Sequence, residues 1–496
     1  MMTRKNSYRQ IMKATSLFGG VQFFQIIISV VRSKFVAILL GPSGMGIVGL
    51  LTSTTGLISG ITNLGLGTSA IKNISEAKAT GNDHRIASVI AVLRRLVWGT
   101  GLLGAVAMLL LSPWLSYLTF GNRDYTLAFV WISVTLLFGQ LSTGELVVLQ
   151  GLRRLQQLAR ANVYGSLAGL IITVPLYYRF GVRGIVPVII ITSFVTLFFS
   201  WYFAHQVKTE KVEVTKPMVM KEGRNMVTMG IMISMSSLIA LVVAYLIRIF
   251  ISHTGSVADV GYYSAGFTII NTYVGMIFTA MGTDYYPRLS SVAYDDVQCR
   301  ENINQQAEIA LLILAPVLII FLVFVNWAII LLYSTQFLAI TGMVYWASLG
   351  IFFKAVSWSI AFLFLAKGNG KLFFWNELTS SVYSLALHLL GYYLGGLTGL
   401  GLSFLISYIL YMIQVFVIAK IRYHFSFHRG GVIVFVVQFF LVLVSFLVVK
   451  LVNDPYSYFP GILLITLTSW YSFRELDKRI GIRAVLQEFI EKHLRK

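Results

Sequence analysis

Apolar residues along the chain fall into fourteen blocks separated by short polar connections. The blocks run from about 14–40, 44–71, 87–111, 126–150, 161–180, 185–204 and 226–252 to 262–284, 309–333, 341–366, 374–394, 399–419, 431–452 and 459–473. A helix of about twenty apolar residues crosses the hydrocarbon core of a bilayer. The blocks are continuous and do not alternate with period two, which argues against a transmembrane barrel. The pattern predicts an all-α polytopic membrane protein with about 14 transmembrane helices, the last of them short. The outer connections are brief. The longest, about 112–125, leaves no room for a folded domain outside the membrane.

The first block is unusual. From Gln22 to Gly49 it is apolar enough to span a bilayer, yet it contains Arg32 and Lys34. A cation inside a membrane helix is costly and defaults to a functional assignment. Gln22, Gln25, Ser29 and Arg32 are three and four residues apart, so they share one helical face. This stripe predicts a helix lining a water-filled cavity. Lys34 points elsewhere, and its alternative is to snorkel to the interface. The block closes on a glycine-rich run in which Gly41, Pro42, Gly44 and Gly46 are expected to form a turn or hinge between the first two helices.

Composition agrees with this class. The 496 residues are 57% hydrophobic and 12% charged, against about 25% charged in a soluble domain, and the mean hydropathy is +0.78. A net charge of +20 would suit nucleic acid, but the positions of the cations decide otherwise. With the N-terminus placed inside, 29 Lys and Arg fall on cytoplasmic segments and 4 on the opposite side. That asymmetry is the positive-inside signature. It places both termini in the cytoplasm and leaves nucleic-acid binding without support. The basic N-terminus precedes an apolar run too long for a signal-peptide core, so a retained first helix is expected. The single Cys299 carries no disulfide, metal or redox pattern, and no cofactor is expected. His424 and His428 have i, i+4 spacing but lie in a basic loop without carboxylates, which makes a poor metal site.

Six cations lie within the blocks. Arg94 and Arg95 are about two turns into the third, within snorkelling reach. Arg248 is near the outer end of the seventh. Lys354 is close to the middle of the tenth, too deep to snorkel with ease. The acids near the blocks are Glu145, Asp284 and Glu377, all towards cytoplasmic ends. A buried carboxylate is able to exchange a proton or hold sodium. The competing reading is an interfacial acid with a neighbouring cation, as for Asp284 with Arg288.

Passages recur about 215 residues apart. Gly67, Thr68 and Ser75 correspond to Gly282, Thr283 and Ser290, and 177–184 corresponds to 392–399. Lys34 to Gly41 echoes Arg248 to Gly255 when one residue is inserted. Blocks one to six and seven to twelve therefore read as two copies of a six-helix unit. Six is even, so the repeat is parallel, the arrangement found where two bundles alternate access to a cavity. The expected organisation is an N-terminal lobe at 1–204, a cytoplasmic linker at 205–225 and a second lobe at 226–425. Two additional helices at 426–473 and a basic amphipathic tail at 474–496 follow.

The segments 32–46, 149–155, 161–166 and 285–290, in this order and spacing, resemble the polysaccharide-transporter branch of the multidrug/oligosaccharidyl-lipid/polysaccharide exporter superfamily, in particular Wzx-type O-antigen flippases. The family usually has twelve helices; the extra pair is more like the fourteen-helix lipid II flippases. The resemblance implies a non-enzymatic carrier that moves polyprenyl-diphosphate-linked glycan from the inner to the outer leaflet of a bacterial inner membrane. Arg32, Arg248, Lys354 and Lys34 would face the diphosphate, since arginine donates paired hydrogen bonds to phosphate. Glu145, Glu377 and Asp284 would carry a proton or sodium ion. A related multidrug exporter would favour acids in the outer half of the lobes, where this chain has cations. An O-antigen polymerase or ligase would have a large outer loop, which this chain lacks.

Overall fold

The computed structural model describes residues 4–207, 212, 216–452 and 455–481. Among them the only regular elements are helices: α1 Arg4–Thr62, α2 Leu66–Ala79, α3 Asp83–Phe120, α4 Thr126–Gly151, α5 Leu155–Phe180, α6 Ile185–His205, α7 Lys216–Thr254, α8 Val257–Thr268, α9 Met276–Ser291, α10 Asp296–Val323, α11 Val325–Leu332, α12 Thr341–Ala366, α13 Gly370–Tyr423, α14 Arg429–Leu451 and α15 Tyr458–Ile480. Residues 208–211 and 213–215 of the linker and most of the 474–496 tail lie outside the described residues.

Nine described stretches are long and apolar enough to cross a membrane. Three of these contain two helices each: α1 breaks at Gly41, α5 and α6 meet through a short 3-10 turn, and α13 breaks at Gly395–Gly396. Together with the α8–α9 pair and α15 they account for the fourteen apolar blocks. The protein is a polytopic, all-α membrane protein. Two block boundaries differ from the pattern. The second block was expected to run to residue 71, but its helix stops at Thr62. Leu64 and Gly65 turn left-handed (φ 52° and 68°), and Asn63 Oδ1 accepts the Gly65 amide at 2.8 Å. A Cβ on Gly65 would lie 2.1 Å from the Gly230 carbonyl, so hydropathy there yields to backbone contact. The eighth block is interrupted by a π-helical turn at Ile269–Val274.

The chain divides into two compact units. The first comprises the residues up to Gly261 together with Leu332–Gln336. Leu51, Met108, Phe129, Ile132 and Val188 form its fully buried centre, drawn from α1, α3, α4 and α6. Helix α7, expected to open the second lobe, packs on α1, α2 and α3 and belongs to this unit. The second unit comprises Tyr262–Leu331 and the residues from Phe337 onward. Here α10 contacts α12, α14 and α15. Gln438 of α14 donates to Ser472 Oγ and accepts from Thr468 Oγ1, both at 2.7 Å, which joins the two additional helices through a buried, satisfied network. Arg479 at the end of α15 reaches Glu308 of α10 at 2.7 Å.

The repeat is visible in the backbone. Gly181 adopts φ 54°, ψ −133°, and Gly396 adopts φ 56°, ψ −138°, in the passages that the sequence aligns. Only glycine enters that region without penalty. A close glycine contact repeats as well. A Cβ on Gly46 would fall 1.8 Å from the Val257 carbonyl, and one on Gly261 would fall 1.9 Å from the Pro42 carbonyl. Gly261 follows Gly46 by 215 residues and Val257 follows Pro42 by the same interval, so the contact is reciprocal. In this register Arg248 corresponds to Ser33, so neither Arg32 nor Lys34 is its counterpart.

Candidate functional site

In the first unit, α1, α4, α5 and α6 enclose a cavity of about 460 Å³. The α1 wall is the polar stripe Gln25, Ser29 and Arg32. The opposite walls are glycines and hydroxyls, among them Ser142 and Thr143 of α4, Gly165 and Gly169 of α5, and Thr192 and Thr196 of α6. Gly165 and Gly169 lie 3.7 Å, measured from an added Cβ, from Thr196 and Thr192, so their lack of side chains lets α6 approach. Among the described residues Arg32 is the one charged residue that lines the cavity, and no carboxylate lines it. Its lining offers one guanidinium together with hydroxyl and amide groups. Lys34, on the same helix, is half-buried and does not line the cavity.

In the second unit Lys354 Nζ donates to Asn271 Oδ1 at 3.1 Å. Asn271 lies on the π turn, where an extra backbone residue displaces the side chains that follow, a feature frequent at functional sites. Lys354 Nζ also lies 5.3 Å from the centre of the Tyr408 ring and 5.7 Å from that of Phe278. Ring faces and an amide oxygen hold the ammonium without neutralising it. Arg248, in the first unit, is half-buried and donates to the Ala244 carbonyl one turn back at 2.9 Å.

The three acids have different surroundings. Glu145 is bound by Arg94 through both oxygens, at 3.0 and 2.9 Å, and its side chain is 10% exposed. This is a two-pronged guanidinium–carboxylate pair, the strongest of the charge-assisted arrangements. Arg94, expected to snorkel, is thus the partner of Glu145. Asp284 is exposed and lies 3.8 Å from Arg288. Glu377 accepts from the Tyr411 hydroxyl and from Asn376 Nδ2, and Gln414 holds Asn376 by two further bonds at 3.0 and 2.8 Å. Among the described residues no cation pairs with Glu377.

Residues 35–342 match the family described as polysaccharide biosynthesis protein. The chain belongs to this family. No curated protein matches it. Among solved structures this family member is similar to an inward-facing multidrug resistance MATE family transporter of the MOP superfamily, with TM-score 0.67, 14% identity, and 81% of this chain and 94% of that one covered. It is also similar to the lipid II flippase MurJ in an inward closed conformation, with TM-score 0.65, 13% identity, and coverage of 94% and 99%. A third likeness is to a MOP superfamily transporter from Pyrococcus furiosus described as having a binding pocket of reverse polarity, with TM-score 0.58, 15% identity, and coverage of 83% and 96%. At these identities the likeness is one of fold. The MurJ match covers more of the chain than residues 1–425 can supply, so it includes part of the C-terminal addition.

Within this member of the polysaccharide biosynthesis family, sequence reasoning found Arg32 and its stripe and found Lys354. It did not join Lys354 to Asn271 or Arg94 to Glu145. It also missed Tyr411, Asn376 and Gln414 around Glu377. Their signal was available: Tyr411 and Gln414 are polar, three apart and embedded in an apolar helix.

Proposed function

We propose that the protein is a flippase for polyprenyl-diphosphate-linked oligosaccharide, an O-antigen or similar repeat unit, moved from the inner to the outer leaflet of a bacterial inner membrane by alternating access. The Arg32 cavity carries this reading. It is a hollow lined by hydroxyls and glycines with one cation and no carboxylate among the described residues, in a membrane protein of the polysaccharide biosynthesis family. A diphosphate and a sugar cannot cross hydrocarbon unaided. The arginine would meet the phosphate with paired hydrogen bonds, the hydroxyls and Gln25 would meet the glycan, and the polyprenyl chain would remain in lipid. Lys354, Arg248 and Lys34 supply further positive charge. Both termini lie in the cytoplasm on this reading, as the cation count requires.

Coupling to a proton or sodium gradient falls to Glu377. Its support is that neutral donors surround it, so its carboxylate has no fixed counter-ion among the described residues. Glu145 and Asp284 each have a cation at hand and are the weaker candidates.

Arg32→Ala, Arg248→Ala and Lys354→Ala in a flippase-null strain test the substrate assignment. Loss of surface glycan is expected while the variant remains in the membrane at its usual level. Normal glycan from all three rejects it. A lipid II flippase is the second reading, favoured by the MurJ match extending into the C-terminal helices. Rescue of a strain depleted of its lipid II flippase separates the two.

A further inference from the structure

The turn between α4 and α5 departs from the local rules that its counterpart obeys. At 152–154 the amides of Leu152, Arg153 and Arg154 donate to the carbonyls of Val148, Gln150 and Leu149 at 3.0, 3.0 and 2.8 Å. Between α12 and α13, 215 residues later, the amides of Lys367, Gly368 and Asn369 donate to Leu363, Leu365 and Phe364 at 2.9, 2.9 and 3.0 Å. The two turns share one hydrogen-bond plan. The second is built from residues suited to it. Gly368 takes the left-handed position at φ 70°, and Asn369 caps α13 by accepting the Leu372 amide at 3.1 Å. The first has Arg153 in the left-handed position at φ 52° and Arg154 in the capping position, with no side-chain cap. Each arginine replaces a residue that would stabilise the turn better.

A third cation joins them. Lys78 of α2 donates from Nζ to the carbonyl of Leu152, inside the same turn. Its ammonium is held below the ordinary lysine value, first by burial and then by the nearby Arg154 and Arg153. Arg153 and Arg154 are exposed, and among the described residues no carboxylate pairs with any of the three. Three like charges converge on a turn that sacrifices local preference to present two of them. Departures of this kind concentrate at functional sites.

We propose that Arg153, Arg154 and Lys78 form a phosphate-binding site on the α2–α4–α5 side of the first unit. The site shares no residue with the Arg32 cavity. Its ligand is a phosphate or diphosphate group, carried by an anionic lipid headgroup or offered free in solution. Two guanidinium forks and an ammonium are the donor set that recognises phosphate oxygens.

The test uses the purified full chain in nanodiscs. Inorganic diphosphate is titrated in neutral phosphatidylcholine discs, and retention of phosphatidylglycerol is measured in mixed discs. Binding of diphosphate in neutral discs assigns a free phosphate group, and binding confined to phosphatidylglycerol assigns a lipid headgroup. The double variant R153G/R154N installs the turn of the second repeat. It is expected to melt at or above the temperature of the parent and to bind the probe at least about tenfold more weakly. Undiminished binding by a folded R153G/R154N overturns the proposal, as does a parent chain that binds neither probe. Should the double variant not fold, R154Q, which leaves Arg153 and the bond from Lys78 to the turn in place, must weaken binding with the melting temperature unchanged, and unchanged binding in R154Q overturns the proposal. None of these measurements depends on transport, so their failure leaves the flippase reading standing, and the reverse holds too.

Discussion

The two units treat the charges within their apolar helices in opposite ways. In the first, the acid is neutralised and the cation faces a cavity: Arg94 grips both oxygens of Glu145, while Arg32 lines a cavity with no carboxylate among its described lining residues. In the second, the cation is held by an amide and two rings, while the acid has only neutral hydrogen-bond donors. A charge with a fixed partner of opposite sign is a structural element, since removing either member strands the other in a poor solvent. A charge held only by neutral groups keeps its capacity to bind a mobile ion or a charged ligand. The same residue types therefore have different surroundings in the two units.

The sharpest way to break this comparison is to strand Glu145. Arg94→Ala is expected to destabilise the protein by about 3 kcal/mol, read as a lower melting temperature in detergent. The double variant R94M/E145Q is expected to recover most of that loss, because it removes both charges together. If R94A instead leaves stability unchanged and alters only transport, Glu145 belongs with the functional acids.

A smaller effect is expected at the reciprocal glycine contact. Gly46→Ala and Gly261→Ala each press a methyl group onto a backbone carbonyl, and overpacking of this kind costs about 1–3 kcal/mol. Because the two contacts mirror one another, the two variants are expected to lose similar amounts of stability. A large loss in one and none in the other would separate the two halves of the contact.

The smallest change in stability, and the most telling change in function, is expected at Glu377. Glu377→Gln keeps the shape and one acceptor, so stability should move by roughly 1 kcal/mol or less. Flipping in proteoliposomes should become indifferent to an imposed proton or sodium gradient. Tyr411→Phe removes the hydroxyl that Glu377 accepts and should shift the gradient dependence without abolishing it. A gradient response that survives E377Q intact moves coupling elsewhere.

Much of this was legible in the chain. The spacing of Gln22, Gln25, Ser29 and Arg32 predicted a lining face, and the last three of these line the cavity while Gln22 does not. The recurrence of 177–184 at 392–399 predicted a shared turn, and Gly181 and Gly396 adopt the same left-handed geometry. These features are local or periodic, so they are written in consecutive residues. The break at Thr62 was not legible, because it answers to the Gly230 carbonyl, far away in the chain.

By itself, the sequence determined the class of protein, the number of apolar helices, the six-helix repeat and the helix face that carries Arg32. Hydropathy and helical period are properties of neighbouring residues, and a bilayer demands that every span satisfy its own backbone. Only the tertiary structure decided which charges are answered and which are open. Arg94 and Glu145 are 51 residues apart, Lys354 and Asn271 are 83 apart, and Tyr411 is 34 beyond Glu377. Whether a buried ion is structural or available depends on partners brought together by helix packing, and no local pattern records that meeting.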